Sequence, residues 1–162
     1  MSEYSAIISW ERGASERFLD QRYSRAHQWE FDGGVRVAAS SSPQVVPLPW
    51  SVAEHVDPEE AFVAALSSCH MLTFLWLVAK QGYLVDRYRD QAIGVMEADE
   101  RGRQSITRVT LRPQVLFGGA RQPTLAELEQ LHHQAHEECF IANSVRTSVT
   151  TQIVLWPREA SL

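Results

Sequence analysis

One segment limits the folds open to this chain more than any other. Asp57-Pro58-Glu59-Glu60 is a complete helix start: Asp57 is a side-chain N-cap, Pro58 suits the first helical position, and Glu60, three residues after the cap, completes a capping box. From Ala61 to Ala79 there is no Asp, Glu, Lys or Arg, and Gly82 follows as a stop signal. A helix running to about Lys80 is apolar nearly all round, so it needs cover on most sides. The run is also long enough to span a bilayer. Ser67, Ser68, Cys69, His70 and Thr73 gather at its middle, where hydrocarbon would leave them unpaired. A buried core helix fits better.

The rest of the chain alternates. Tyr4 to Trp10 reads as a strand. His27 to Phe31 and Val35 to Ala39 read as a hairpin turning at Asp32-Gly33-Gly34 and closed by Ser40-Ser41-Ser42-Pro43. Residues 45–56, rich in proline, read as an irregular loop. After the long helix, Asp90 to Ala98 and Ser105 to Phe117 read as strands joined by a polar turn at Asp99 to Arg103. Thr124 with Glu127 is a second capping box, followed by a stripe of Leu125, Leu128, Leu131, Ala135 and Cys139 at helical spacing. Thr147 to Trp156 reads as a closing strand. The expectation is one α+β domain over residues 1–162.

Composition narrows the function. The 162 residues carry a net charge of −5. That disfavours nucleic acid or an anionic membrane as the main partner, since both select a basic face. The first residues show no basic, then apolar, leader pattern. Two cysteines are too few for a secreted disulfide scaffold, so the expected compartment is the reducing cytoplasm. Gly33-Gly34 and Gly118-Gly119 form neither a dinucleotide fingerprint nor a phosphate loop, and no cofactor is expected.

Those two cysteines, Cys69 and Cys139, lie on different helices, each with polar or charged neighbours. If the fold brings them together they can run a redox cycle, one thiol oxidised and the other resolving it as a disulfide. The attacking thiol must be a thiolate, so an apolar helix needs a cation nearby, preferably one held by a carboxylate. Glu59 is the carboxylate candidate, although its position also suits the helix dipole alone. Ten residues of unbroken helix would separate Glu59 from Cys69 by roughly 15 Å. Either the helix is interrupted or Glu59 serves a second subunit across a two-fold interface.

Asp57-Pro58-Glu59-Glu60-Ala61-Phe62-Val63-Ala64-Ala65-Leu66-Ser67-Ser68-Cys69 resembles the N-P-E-x-L-x-A-A-x-x-A-C signature of the OsmC/Ohr family, the osmotically inducible protein C and organic hydroperoxide resistance proteins. The resemblance extends from about Tyr4 to Trp156 in element order, and Cys139 falls where the family has its second cysteine. It implies an OsmC-like α+β fold, antiparallel sheets packed around a long buried central helix, in an intertwined homodimer. It implies a cysteine peroxidase acting on organic hydroperoxides, with Cys69 peroxidatic and Cys139 resolving. Glu59 would pair with an arginine to activate the site, and the reductant would be a dithiol, a lipoylated protein in the Ohr branch. Arg25, before Asp32-Gly33-Gly34, stands at the Ohr-branch arginine position, with Arg22 as the alternative. The chain departs from the pattern at Phe140, where proline is usual, and at His70, which could tune the thiol or simply pack.

For substrate, Phe62, Leu66 and His70 are the expected contacts, with Leu72, Trp76 and Trp50 able to extend an apolar pocket. The competing readings are a non-catalytic ligand-binding member of the fold and a metal site. His132, His136 and Cys139 share one helix face, with His133 and His70 nearby, and nitrogen with sulfur suits zinc.

Overall fold

A computed structural model of the chain describes residues 1–156. They form two compact units, Met1–Ala61 and a second that begins at Phe62.

The first unit is a three-stranded antiparallel sheet in the order β1 (Ala6–Ser9), β2 (His27–Phe31), β3 (Arg36–Ala39). The β2–β3 reversal needs glycine at Gly34, whose φ of +81° is left-handed and whose N–H donates to Phe31 O at 2.8 Å. Beyond β3, buried Ser40 anchors the irregular loop. Its N–H donates to Val56 O at 3.0 Å and its Oγ accepts the Val52 N–H at 3.0 Å.

Helix α1 (Pro58–Lys80) has the boundaries expected from its signals. At the start, the Asp57 N–H donates to Glu60 Oε1 and the Glu60 N–H donates to Asp57 Oδ1, both at 2.8 Å. At the end, the Gly82 N–H donates to Ala79 O and the Tyr83 N–H to Val78 O, the Schellman pattern, with Gly82 at φ +79°.

In the second unit, β4 (Leu84–Asp90) pairs antiparallel with β7 (Pro113–Gly118), and β5 (Ile93–Ala98) with β6 (Gln104–Leu111). The single strand expected over Ser105 to Phe117 is therefore two, and β4 is an addition. The break has a local cause: the Arg112 N–H leaves the ladder and donates to Asp90 Oδ1 at 2.6 Å, and Pro113 has no N–H to give. Strand β8 (Ser148–Thr151) pairs with β6 in parallel, so that sheet is mixed rather than wholly antiparallel. Helix α2 (Leu125–Glu138) begins with the expected Thr124–Glu127 capping box.

Two core clusters form within this unit. Phe74, Leu77 and Val78 of α1 pack with Tyr83, Leu128, Leu131 and Ala135, joining α1 to α2. Leu66 packs with Val109 and Leu111 of β6. At Gly94 a Cβ would stand 2.5 Å from Val63 Cγ2, so β5 approaches α1 at backbone distance. Helix α1 buries one stripe, Leu66, His70, Phe74, Leu77 and Val78. Its other side carries Leu72 and Trp76, 61% and 54% exposed. The apolar circumference is thus only partly covered within one chain.

Candidate functional site

The two thiols meet in the second unit. Cys69, partly exposed, lies midway along α1, and Cys139 caps the C-terminus of α2 at 1% exposure. Both are free thiols, and Cys69 is near enough to Cys139 to perturb its ionisation. Burial first of all pushes the Cys139 thiol up to about 11, and the nearby Cys69 thiol adds to this. The Ala142 N–H, 3.5 Å from Cys139 Sγ, acts the other way. A 3-10 turn at Ala142–Ser144 supplies that N–H, and the Asn143 N–H donates to Cys139 O at 3.0 Å, so the segment after α2 holds the thiol from behind.

Beside the thiols is a buried histidine pair. His70 Nε2 lies 3.0 Å from His132 Nδ1, and the two residues are 1% and 2% exposed. Loss of hydration lowers His70 to about 4, with Asp90 opposing and His136 reinforcing the shift. Burial, then His70, lowers His132 to about 3. Both rings are neutral at physiological pH. Asp90 accepts Ser67 Oγ–H at 2.5 Å as well as the Arg112 N–H, which ties α1 to the bend in the sheet two residues from Cys69.

The two residues expected to activate the thiol lie in the first unit. Arg25 and Glu59 both line one cleft of about 470 Å³, with Ile8, Trp10, Phe18 and Tyr23 among its other walls. Arg25 Nη1 donates to Gln21 O at 2.8 Å and Tyr23 O at 2.5 Å, and its guanidinium sits 3.7 Å above the Tyr23 ring. Gln21, which supplies one of these carbonyls, has a left-handed φ of +65°. Among the described residues Arg25 and Glu59 form no ion pair, and the carboxylate that feels the Arg25 charge is Glu16. Arg22 is exposed and is not among the residues lining the cleft.

Of the three residues expected to meet substrate, Phe62 lines an open cleft with Ser144 to Thr147. Leu66 and His70 face the core instead, each 1% exposed. The helix-face reading of His132, His136 and Cys139 as metal ligands is not realised: among the described residues no group of three or more His, Cys, Asp or Glu side chains is arranged to hold an ion. Sequence reasoning missed Trp10, Phe18 and Tyr23, whose rings form a cluster with centroids 4.7 to 5.8 Å apart. It also missed His132 as the partner of His70. The available signal was spacing, since Leu128, His132, Ala135 and Cys139 follow one helical face.

The family model for OsmC-like proteins matches residues 52–154. The chain belongs to the OsmC-like family. It is 61% identical to an OsmC-like protein of unknown function from Vibrio cholerae, over 95% of this chain and 100% of that one, with a TM-score of 0.93. An organic hydroperoxide resistance protein from Elizabethkingia anophelis (15% identity, TM-score 0.68) and the organic hydroperoxide resistance protein OhrB of Bacillus subtilis (18%, 0.64) share the fold. Each aligns over 96% of this chain, covering 96% and 98% of its own length respectively. Comparison with curated protein sequences finds no match. Within this OsmC-like chain, Glu59, Cys69, His70, His132 and Cys139 fall inside the matched stretch, whereas Arg25 and the aromatic cluster precede it.

Proposed function

We propose that this OsmC-like protein is a cytoplasmic cysteine peroxidase that reduces organic hydroperoxides to alcohols. The observation that carries the reading is the proximity of the only two thiols in the sequence, brought together from α1 and the end of α2. The hydroperoxide resistance proteins that share the fold lend it support.

The Cys69 thiolate attacks the outer oxygen of ROOH. An S–O bond forms, the O–O bond breaks, and the alkoxide takes a proton to leave as ROH. Cys139 then attacks the sulfenic sulfur, forming the S–S bond and releasing water. A dithiol, with a lipoylated protein as the candidate, reduces the disulfide by two successive exchanges and is itself oxidised. Because Cys139 is buried, the reductant enters at Cys69 and expels Cys139. Arg25 and Glu59 supply the electrostatic help, the guanidinium stabilising charge on the departing oxygen.

Helix α1 is unbroken, so Glu59 stays roughly 15 Å along the axis from Cys69 of its own chain. In this reading the protein is a homodimer, and Arg25 and Glu59 of one copy serve Cys69 of the other. The exposed Leu72 and Trp76 are consistent with a second copy covering α1. Residues 1–162 act as one functional domain, because neither compact unit alone holds both the thiols and the Arg25 cleft.

Turnover of cumene hydroperoxide with dihydrolipoamide tests the proposal. Catalytic consumption that disappears in Cys69→Ser supports it. Equal turnover by Cys69→Ser would place the activity elsewhere.

A further inference from the structure

The buried pair of histidines plays no part in the chemistry above, yet its placement is specific. His70 directly follows Cys69 on α1, and His132 precedes Cys139 by seven residues, two turns along the same face of α2. The His132 ring is inserted between two residues of α1. It stacks on Phe74 at 4.1 Å and 10°, and lies parallel to His70 at 5.3 Å and 6° while hydrogen-bonded to it. This arrangement costs stability. Among the described residues, His70 Nδ1 and His132 Nε2 are buried without a hydrogen-bond partner, each a destabilising unpaired group. An all-apolar knob would pack there without that penalty.

We propose that the His70–His132 bond is a positioning element that holds α2 in register on α1, so that Cys139 meets Cys69 in a geometry able to close. The inference rests on reading the two thiols as a redox pair. Disulfides demand it: the Cα atoms must lie within a window of about 2.5 Å and the S–S dihedral near a right angle. Slipping one helix by a single residue rotates a side chain by about 100°. A stacked ring resists the slide, and a directional N–H···N bond resists the rotation.

The test uses the full-length protein with the disulfide made by diamide and equilibrated against glutathione buffers, so no peroxidase activity is required. His132→Phe keeps the stack and removes the bond. It should lower the equilibrium constant for disulfide formation about tenfold, the loss expected for one buried hydrogen bond. His132→Asn places an amide near the Nδ1 position and should recover to within about threefold of the original chain. An unchanged constant in folded His132→Phe, or Asn no better than Phe, overturns the proposal. If His132→Phe does not fold, His132→Gln replaces it, since its longer side chain carries the amide past Nδ1. Asn should then exceed Gln by about fivefold, and equality overturns the proposal. Normal diamide closure in a protein that ignores cumene hydroperoxide would sink the peroxidase reading and leave this one standing.

Discussion

The first unit keeps its candidate chemistry near water, and the second buries all of its own but Cys69. Arg25 is held by two carbonyls and the Tyr23 ring in an open cleft whose aromatic walls remain substantially exposed, Trp10 at 40% and Phe18 at 47%. Cys139, His70 and His132 are exposed by 2% or less. A permanent guanidinium loses little hydration at a cleft wall, whereas full burial would be costly. Thiols and imidazoles tolerate burial because they can remain neutral, and burial is the main cause that raises Cys139 and lowers both histidines. The division suits a reaction in which charge steers the peroxide to a partly exposed thiol and a buried one closes the disulfide.

The sharpest way to separate the regions is to remove the charge. Arg25→Ala and Glu59→Gln should each slow peroxide attack at Cys69 by about 10²–10³, read as thiol loss in a Cys139→Ser background. Diamide closure of the disulfide should not change in either variant. Loss of closure as well would mean that the cleft is structural.

Packing gives the next largest contrast. Leu66→Ala, in the core against Val109 and Leu111, should cost about 2–5 kcal/mol in urea unfolding. Ile8→Ala, at a residue 59% exposed, should cost less than about 0.5 kcal/mol. Comparable costs would erase the distinction between an open and a closed region.

Two pH effects report on the dry region. With Cys139 held up to about 11, closure of the disulfide on the Cys69 sulfenic acid should accelerate about tenfold per pH unit between pH 6 and 9, followed by rapid-quench dimedone trapping. A flat profile would show that Cys139 is not limited by deprotonation. In the acid range, each unfolded histidine takes up a proton near 6.5, whereas the folded values are about 4 for His70 and about 3 for His132. The unfolded chain therefore binds more protons between these limits, and stability should fall as pH drops from 6.5 towards 4. The slope approaches about 1.4 kcal/mol per pH unit for each histidine, measured from urea midpoints. A midpoint that holds or rises would contradict neutral burial of the pair.

Local signals carried far into the fold. Both capping boxes and the Gly82 stop are written in consecutive residues, and α1 has the boundaries they predict. Strand β4 escaped notice because Val85-Asp86-Arg87-Tyr88-Arg89 carries too many charges to show an apolar alternation. The division of β6 from β7 depends on Asp90, 22 residues from Arg112, and the parallel β6–β8 pairing depends on topology alone. At the site, the motif pointed to Glu59 and Cys69, and the turn spacing pointed to Arg25. The Trp10, Phe18 and Tyr23 cluster arises from tertiary contacts that no local pattern announces, whereas the α2 spacing placed His132 on the buried face without naming His70 as its partner.

The central claim is that Cys69 and Cys139 form a peroxide-driven redox pair. It is tested most directly by thiol titration after one equivalent of cumene hydroperoxide on the unaltered chain, Cys69→Ser and Cys139→Ser. The account predicts rapid loss of both thiols in the unaltered chain, an untouched Cys139 in Cys69→Ser, and arrest at a sulfenic acid in Cys139→Ser. Thiols that survive for hours in the unaltered chain would contradict it.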